Sequence, residues 1–479
     1  MSVGVDVIAE ASVASWSETF DVVVAGLGCA GAAAAIDAAR AGASVAAIER
    51  ASGPGGTSSM SGGVIYLGGG TPLQRACGFE DSVEDMAAYL LASCGPAPDE
   101  ERIERYAADS VEHYEWLVAL GVPFKAAFYP HYSGEPPNDD GLVFSGSENA
   151  HPYRDLARPA PRGHVPQVPG QAGGLLMQHL GGHAERETTA IYDARVTALV
   201  RASDGSIVGV RIGGADGDRY LRARGGVVLA TGGFINNDDM VAAYTPELRR
   251  CMFRVGAEGD DGSGMRLGAA AGGALVNMHM GSISLPIIPP KSMQRGLLVN
   301  AQGQRFINED AYYGVLGEHV LLKQGGVAYL VLDEATFERP EVPREIAGVG
   351  ETAAELETAL ELPPGSFEAT VELYNRHALE GRDPLFGKAA EWVQPLKPPF
   401  GALDCRVDSS LFAAFTLGGL RTDVDGRVVS LAGETIPGLY AAGRASACLA
   451  SPGYSSGLSI GDGTFFGRRA GRHAAGRKP

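Results

Sequence analysis

The sequence predicts an α/β protein in which a Rossmann-like dinucleotide-binding domain contains an inserted α+β domain. A glycine-rich turn between an apolar strand and an alanine-rich helix lies near the start of the chain. Prolines mark the ends of a segment of different texture, and strand and helix patterns of the first kind return after it. We therefore expect residues 1–280 and 400–479 to form the first domain and residues 281–399 to form the second.

The nucleotide-binding prediction rests on residues 21–50, where a strand, a glycine turn, a helix and a second strand follow one another. Gly26 allows the sharp turn, Gly28 lets the backbone approach a pyrophosphate, and Gly31 lets the helix pack closely on the strand. Glu49, at the end of the second strand, is placed to accept hydrogen bonds from a ribose. A turn that only packs a helix against a strand is the alternative interpretation.

The composition indicates an ordinary globular chain of 479 residues with a net charge of −18. Such a charge argues against nucleic acid and anionic membrane surfaces as partners. The six scattered cysteines show no metal spacing, so we expect reduced thiols, and the N-terminus lacks the basic start of a signal peptide. We expect a cytoplasmic protein. No transmembrane segment is expected, because the longest apolar run, residues 22–36, is shorter than the roughly 20 residues that span a bilayer.

Several further elements are expected before residue 281. Residues 1–19 predict only a loose or accessory extension, and aromatic and apolar residues at helical spacing predict a helix with a buried stripe over residues 82–121. Residues 122–170 favour long loops. We expect three histidines of these loops at the surface, namely His131, His151 and His164.

Two strands, a third strand and a helix complete the first part of the chain. Residues 196–212 predict a hairpin that turns at Asp204-Gly205. Residues 226–230 have the continuous apolar pattern of a buried parallel strand, and residues 263–274 predict a helix.

The inserted domain is expected to begin where Pro286, Pro289 and Pro290 mark a crossing between domains. Its predicted elements are two strands around a turn at residues 301–303, a third strand and a helix. They comprise residues 297–300, 304–308, 328–332 and 366–380. The chain is expected to return at residues 397–400.

The order of motifs resembles the FAD-dependent fumarate reductase and 3-ketosteroid dehydrogenase superfamily over nearly the whole chain from residue 20. The motifs that support the resemblance are residues 26–31, 55–58, 229–233, 259–260, 305–309 and 437–443. The resemblance implies a Rossmann-like FAD-binding domain and an inserted catalytic, or capping, domain. It also implies that the substrate lies against the flavin at the domain interface.

The resemblance implies a set of FAD-binding residues. The ADP half would be held by Gly26, Gly28, Ala30, Gly31, Glu49 and, through its backbone with adenine, Val196. Gly56, Thr57, Ser58 and Gly63 would line the flavin, and Gly443, Arg444, Leu458 and Ser459 would close over the ribityl and pyrimidine end. The further cofactor-binding residues would be Cys29, Arg50, Gly55, Ser61, Gly62, Thr231, Gly232 and Asp260. Small residues over 52–63 suit a loop against a flat ligand, although a flexible linker is the alternative. Since no histidine lies in residues 51–70, we expect non-covalent FAD. Arg444 stands where the family commonly has an acid, which leaves its role open.

Three positions that are cationic or proton-donating in the fumarate reductases are neutral here. They are Tyr313, residues 415–417 and the loop at residues 451–457. A dicarboxylate would lose most of its charge-assisted hydrogen bonds, so fumarate is disfavoured. The tyrosines most resemble those of 3-ketosteroid dehydrogenases that desaturate the C4–C5 bond of a 5α-3-ketosteroid. Desaturation at C1–C2, or an enone or unsaturated-acid reductase, is the alternative.

This resemblance implies roles in catalysis for five residues. The backbone N–H of Gly457 would stabilise the enolate oxygen, and Tyr454 would take the α-proton with support from Ser456 and Tyr313; Tyr312 is a further candidate. Hydrogen bonds are expected to lower the pKa of Tyr454. Aromatic packing is the alternative role of the tyrosines.

A non-catalytic flavin protein or an NAD(P)-linked protein is the competing class. A nicotinamide site would need a second full glycine fingerprint, and the sequence has none. An unknown acceptor would therefore take the electrons from FAD. The implied role is steroid degradation.

Overall fold

The computed structural model describes residues 6–131, 136–214, 217–286, 291–340, 342–450 and 453–477. Pro289 and Pro290 of the expected crossing, and Ser451 and Pro452 of the loop before Gly457, lie outside these residues. No helix among the described residues is both long and apolar enough to cross a bilayer.

The strands are β1 (Asp6–Ala9), β2 (Glu18–Ala25), β3 (Val45–Ile48), β4 (Ile65–Tyr66), β5 (Leu142–Val143), β6 (Gly163–His164), β7 (Thr189–Ile191), β8 (Ala194–Arg201), β9 (Ile207–Gly214), β10 (Arg219–Leu229), β11 (Phe253–Arg254), β12 (Leu275–Val276), β13 (Gly281–Ser284), β14 (Leu297–Val299), β15 (Tyr329–Asp333), β16 (Ile346–Gly350), β17 (Phe400–Asp404), β18 (Ala413–Thr416), β19 (Gly419–Leu420), β20 (Arg427–Val429) and β21 (Thr435–Ala441).

The α-helices are α1 (Cys29–Arg40), α2 (Gly56–Ser59), α3 (Pro72–Ala76), α4 (Val83–Ser93), α5 (Glu100–Ala108), α6 (Ser110–Ala119), α7 (Gly173–Glu187), α8 (Asp238–Tyr244), α9 (Ser263–Ala270), α10 (Tyr313–Glu318), α11 (Ala353–Ala359), α12 (Ser366–Ala378) and α13 (Leu458–Gly476).

A mixed sheet in the order β1-β8-β9-β10-β2-β3-β7 forms the base of the first domain, and β21 and β20 extend it beside β10. β2 runs parallel to β3 and β10, with Ala25 beside Ile48 and Leu229. The carboxyl ends of these strands therefore open on one edge, where ligands bind in doubly wound folds. The predicted hairpin and the buried parallel strand are both present as β8–β9 and β10.

The helices on one face of this sheet approach each other closely. α1 is alanine-rich and its residues 29–38 are buried. α13 crosses it with Gly467 at the contact, where a Cβ atom would overlap the carbonyl oxygen of Ala30. Small side chains on both helices thus allow the last helix of the chain to pack on the first, and they join the two pieces of the predicted domain.

The expectation of a loose N-terminal extension is wrong for the described part of residues 1–19. β1 adds to the edge of the main sheet, with Asp6 beside Ala198 in parallel register, and β2 begins at Glu18. Val7 packs against the buried core of that sheet. This pairing depends on a strand about 190 residues away in the chain, as their register shows.

The inserted segment contains a four-stranded antiparallel sheet, β14-β15-β17-β16, covered by α11 and α12. β17 belongs to this sheet. A return of the chain to the first domain at residue 400, as predicted, would therefore separate β17 from the other three strands. A second, three-stranded sheet, β11-β18-β13, lies nearby and takes its strands from both sides of the expected boundaries. We propose that the chain returns to the first domain after β18.

Two local expectations are also wrong, whereas the helical structure predicted over residues 82–121 is present as three helices, α4 to α6, with its aromatic stripe buried. Residues 304–308 form no strand: Arg305 makes only an isolated bridge with Val299, and its side chain is buried and paired with Glu309 and Asp383. His164 is fully buried, with Nε2 2.8 Å from Thr71 Oγ1.

Candidate active site

One cavity of about 410 Å³ is lined both by the predicted cofactor-binding residues and by the predicted catalytic residues. All five predicted catalytic residues line it. Of the predicted cofactor-binding residues, only Gly31, Gly55 and Leu458 do not. The roles predicted for these residues in binding and catalysis stay predictions, but the fold does bring them to one place.

The glycine turn after β2 gives one end of the cavity the shape that a bound phosphate needs. Gly26 has φ +96°, and a Cβ atom there would overlap the carbonyl oxygen of Ala230, so packing within the protein requires this glycine. A Cβ atom on Gly28 would instead meet only Ser58 Oγ, at 3.4 Å, and the carbonyl oxygen of Gly55, at 3.7 Å. Gly28 therefore keeps the start of α1 open towards the cavity, which fits the close approach of a pyrophosphate to helix N–H groups.

Glu49 lines the same end of the cavity, and its carboxylate already stabilises the turn. Oε2 accepts a hydrogen bond from the Leu27 N–H at 2.8 Å, and Oε1 accepts one from the Ala51 N–H at 2.9 Å. Each oxygen retains a second lone pair, so a ribose hydroxyl can still be bound. Glu49 thus has a structural role in addition to the predicted one.

Arg50 and a second arginine meet at this end of the cavity. Arg50 pairs with Glu258 at 2.8 Å, and Arg195 pairs with Asp261 at 2.6 Å. Glu258, Arg195 and Asp261 were not predicted as site residues, because they match no motif of the sequence.

Asp260 connects four segments of the cavity wall. Its Oδ2 accepts hydrogen bonds from Thr57 Oγ1 at 2.9 Å and from Arg444 Nη2 at 2.5 Å, and its Oδ1 accepts one from the Gly233 N–H at 3.2 Å. Thr57 Oγ1 in turn accepts from the Ala257 N–H at 2.8 Å. The pairing with Asp260 explains why a basic residue is tolerated at position 444, which the sequence alone did not.

At the other end of the cavity, Tyr312 and Tyr313 lie with their ring centroids 4.2 Å apart. The Tyr312 side chain is hydrogen-bonded to Tyr313 and to Ser456, and burial raises the pKa of Tyr312 well above its usual value. Ser456 and Tyr313 were expected to bond Tyr454. Their contact with Tyr312 makes Tyr312 a more central residue than the sequence indicated.

Tyr454 lies at the start of α13, with its hydroxyl near the first N–H groups of that helix. Its hydroxyl oxygen accepts a hydrogen bond from the Ser459 N–H at 3.2 Å, and its ring meets Phe415 edge to face at 5.2 Å. Burial raises the pKa of Tyr454 to about 12, although the hydrogen bonds from Ser459 and the Gly457 backbone oppose this. The expected lowering of its pKa is therefore wrong for the protein alone. The predicted convergence of the Tyr454 hydroxyl and the Gly457 amide on one ketone stays a prediction.

One face of the β11-β18-β13 sheet forms a further part of the cavity wall. Strand alternation brings Ala413 and Phe415 to this face, and Ala414 is buried in the core behind it. The remaining residues of this wall are uncharged as well, namely Phe253, Val255, Ser282 and Ser284. The part of the cavity between the tyrosines and this sheet is thus lined by aromatic, small apolar and hydroxyl groups.

Known proteins resemble this chain over almost its whole length. The crystal structure of 3-ketosteroid-delta4-(5alpha)-dehydrogenase from Rhodococcus jostii RHA1, in complex with 4-androstene-3,17-dione, shows 45% sequence identity and a TM-score of 0.94, covering 99% of this chain and 100% of that one. The 3-oxo-5-alpha-steroid 4-dehydrogenase of Comamonas testosteroni is 32% identical, covering 91% of this chain and 94% of its own. A fumarate reductase (cytochrome) of Shewanella frigidimarina is 26% identical, covering 96% of this chain and 77% of its own.

The expected cofactor agrees with these similarities. The glycine turn, the open position at Gly28 and the cavity between β2 and α13 fit an extended dinucleotide. A family model described as an FAD binding domain matches residues 21–459. The chain therefore belongs to this FAD-binding family of oxidoreductases.

Proposed function

We propose that this chain is a 3-ketosteroid dehydrogenase that desaturates the C4–C5 bond of a 5α-3-ketosteroid. The observation that supports this most directly is that Tyr312, Tyr313 and Tyr454 line the cavity together with the uncharged face of a small sheet. A flat, apolar substrate with one ketone matches such a lining, since burying unpaired charge or many polar groups there would be costly. The similarity to the Rhodococcus and Comamonas enzymes supports the same substrate class.

Desaturation beside a ketone removes a proton from the α-carbon and a hydride from the β-carbon, and a double bond forms between them. FAD supplies the acceptor of the hydride when it is bound. The protein supplies the proton acceptor and stabilises the enolate. The Gly457 N–H at the start of α13 can donate to the developing oxyanion. Tyr454 can take the α-proton only as its phenolate, so its own hydroxyl proton must first pass to solvent or to a neighbouring hydroxyl. Because burial raises the pKa of Tyr454 to about 12, formation of the phenolate depends on the hydrogen bonds around its oxygen.

A dicarboxylate substrate is disfavoured by the same residues. In the predicted substrate region, the cavity lining has Tyr313, Phe415 and Ser456 where charged or donating groups would be needed. The arginine that lines the cavity near Phe415, Arg444, is already paired with Asp260. Among the described lining residues of this region, a carboxylate would meet no cation other than Arg444, whose charge is already balanced by Asp260, and the loss of charge-assisted hydrogen bonds would weaken its binding strongly.

We further propose that FAD is held non-covalently and that a separate, unidentified acceptor reoxidises it. Residues 51–70, which include the flavin-facing loop, contain no histidine for a covalent bond. The cysteines among the described residues form no disulfide, which fits a cytoplasmic location.

The test is anaerobic mixing of the FAD-loaded protein with a saturated 5α-3-ketosteroid. We expect the flavin absorbance to bleach and the product to have its new double bond at C4–C5. A product unsaturated at C1–C2 would replace the proposed regiochemistry by the alternative. Rapid reoxidation of the reduced protein by fumarate, with no bleaching by any 3-ketosteroid, would overturn the proposal.

A further inference from the structure

A buried segment behind the tyrosines, residues 145–148, contacts both parts of the candidate active site; we call it the bridge segment. It belongs to a stretch of the chain that the sequence predicted as long loops. Ser145, Ser147 and Glu148 are nonetheless almost completely buried, at 0%, 2% and 1% exposure. Buried polar groups are generally hydrogen-bonded, and the pairs formed by this segment are informative, although Ser145 Oγ and Glu148 Oε1 have no hydrogen-bond partner among the described residues.

One partner of the bridge segment belongs to the inserted domain. The backbone N–H of Tyr312 donates a hydrogen bond to Ser147 Oγ at 3.0 Å. Tyr312 is the N-cap residue directly before α10, so its N–H has no carbonyl partner within that helix. Ser147 Oγ therefore fixes the backbone from which the Tyr312 side chain projects into the cavity.

The other partners lie in the loop before α13. The backbone N–H of Ser456 donates to the carbonyl oxygen of Ser145 at 2.7 Å. The Tyr89 hydroxyl accepts from the Ser147 N–H at 2.9 Å and lies 2.8 Å from Ser455 Oγ. The bridge segment thus holds the backbone on both sides of the contact between the Tyr312 and Ser456 side chains.

Close packing keeps the bridge segment in this position. A Cβ atom at position 146 would overlap Ser455 Oγ and the Tyr89 hydroxyl, so Gly146 lets the segment lie directly against the loop. The Glu148 carboxylate accepts from the Gly146 N–H at 2.9 Å and closes the turn. A displacement of the bridge segment would therefore move both Tyr312 and Ser456.

We propose that Ser147 is a positioning residue for the dehydrogenation, which fixes Tyr312 against Ser456 across the boundary between the two domains. This inference rests on the proposed function, because it assigns Ser147 a role in the same reaction. Ser147 acts through Tyr312. Its hydroxyl is 2% exposed, so the substrate does not need to touch it.

The test compares Ser147→Ala with the wild type, using FAD-loaded protein. We expect the rate of flavin reduction by a 5α-3-ketosteroid to fall about ten- to a hundredfold, because a misplacement of about 1 Å can cost this much. The Kd for the steroid should change less than about twofold. Ser147→Thr keeps the acceptor oxygen and should recover most of the rate.

Ser110→Ala is the matched control. Ser110 Oγ is fully buried and accepts a backbone hydrogen bond from Gly68 at 2.9 Å, but it does not line the cavity. Its loss should lower the melting temperature about as much as Ser147→Ala and leave the rate of flavin reduction unchanged. Equal losses of rate in both variants would show a general loss of stability and would overturn the positioning role.

Crystal structures of the FAD-loaded wild type and Ser147→Ala decide the role independently of the substrate. We expect Tyr312 to lose its contact with Ser456 in the variant. Tyr89→Phe covers the case in which Ser147→Ala does not fold: it removes the hydroxyl that links Ser147 to Ser455, retains Ser147 Oγ, and should displace Ser456 with the loop before α13. A contact between Tyr312 and Ser456 that is unchanged in Ser147→Ala, or in Tyr89→Phe where Ser147→Ala does not fold, would overturn the inference. If no 3-ketosteroid reduces the wild-type flavin, the proposed function fails and the structures still decide the role of Ser147.

Discussion

Arg444 donates a hydrogen bond from Nη2 to Oδ2 of Asp260 at 2.5 Å, and this ion pair joins two cavity-wall segments that are 184 residues apart in the chain. The side chains are only 10% and 5% exposed. Asp260 also accepts hydrogen bonds from Thr57 and Gly233. The loop before α9 is therefore fixed to α2 and to the segment that follows β10. The cavity is therefore shaped by a charge pair as well as by its glycines.

Asp260→Asn should destabilise the protein strongly. The variant leaves Arg444 charged and buried without an acidic partner, and breaking a buried pair in this way typically costs about 3–5 kcal/mol. We expect the free energy of unfolding in urea to fall by about that amount and FAD binding to weaken. Asp408→Asn is the control, because Asp408 is 71% exposed in its pair with Arg250 and such surface pairs contribute about 1 kcal/mol or less. Similar losses in the two variants would mean that the buried pair does not stabilise the cavity.

Two glycine substitutions separate packing from ligand binding. Gly28 has φ −74° and space for a Cβ atom, so Gly28→Ala should leave the apoprotein folded but raise the Kd for FAD at least tenfold, because the methyl group projects towards the phosphate position. Gly26→Ala places a side chain at φ +96° against Ala230 and should prevent stable folding. The measurements are the melting temperature of the apoprotein and flavin titration. Unchanged FAD affinity in folded Gly28→Ala would place the pyrophosphate elsewhere.

The parts of the fold that the sequence predicted best are those specified by neighbouring residues. The turn at Gly26 and the helix α1 follow from local patterns, as do β15 and α12 in the inserted domain. The order of these motifs along the chain was sufficient to place the predicted site residues in one cavity. The end of the inserted sheet was misjudged because β17 pairs with strands whose positions a local pattern does not reveal.

The partners of the site residues could not be predicted, because they depend on contacts between distant segments. Ser456 was assigned to Tyr454 through the family resemblance, whereas its side chain is bonded to Tyr312. The bridge segment behind Tyr312 lies in a stretch without helical or strand periodicity. Asp260 and Arg444 each matched a motif position, but nothing in the sequence indicated that they pair.

The stability of the protein should depend on pH through His164. Burial lowers the pKa of His164 to about 4, whereas an unfolded histidine has its usual pKa near 6.5. Between these values the unfolded chain binds more protons than the folded one, so the free energy of unfolding contributed by this residue falls as the pH falls. Its contribution is fully present above pH 6.5.

His164→Asn removes this dependence. From pH 7 to pH 5 the wild type should lose about 2 kcal/mol of unfolding free energy relative to the variant, at about 1.4 kcal/mol per pH unit below 6.5. Urea denaturation at the two pH values measures the difference. A constant difference between wild type and His164→Asn would mean that His164 does not stay neutral in the folded protein.

Tyr454→Phe should slow flavin reduction by a 5α-3-ketosteroid while leaving the protein folded. The substitution keeps the ring that packs against Phe415 and removes only the hydroxyl, which accepts one hydrogen bond from Ser459. Loss of a positioned base typically costs about a hundred- to ten-thousandfold in rate, so we expect a decrease of this size in stopped-flow measurements. FAD content and the Kd for the steroid should change little.

Tyr312→Phe distinguishes the two candidate bases. Tyr312 is hydrogen-bonded to Ser456 and Tyr313, and its ring stays packed in the variant, so its loss should slow the reaction less than the loss of Tyr454 if Tyr454 takes the α-proton. Ser456→Ala should then resemble Tyr312→Phe, because both remove the same contact. If Tyr454→Phe reduces its flavin at the wild-type rate while Tyr312→Phe does not, the proton acceptor is Tyr312, and the bridge segment supports the catalytic base directly.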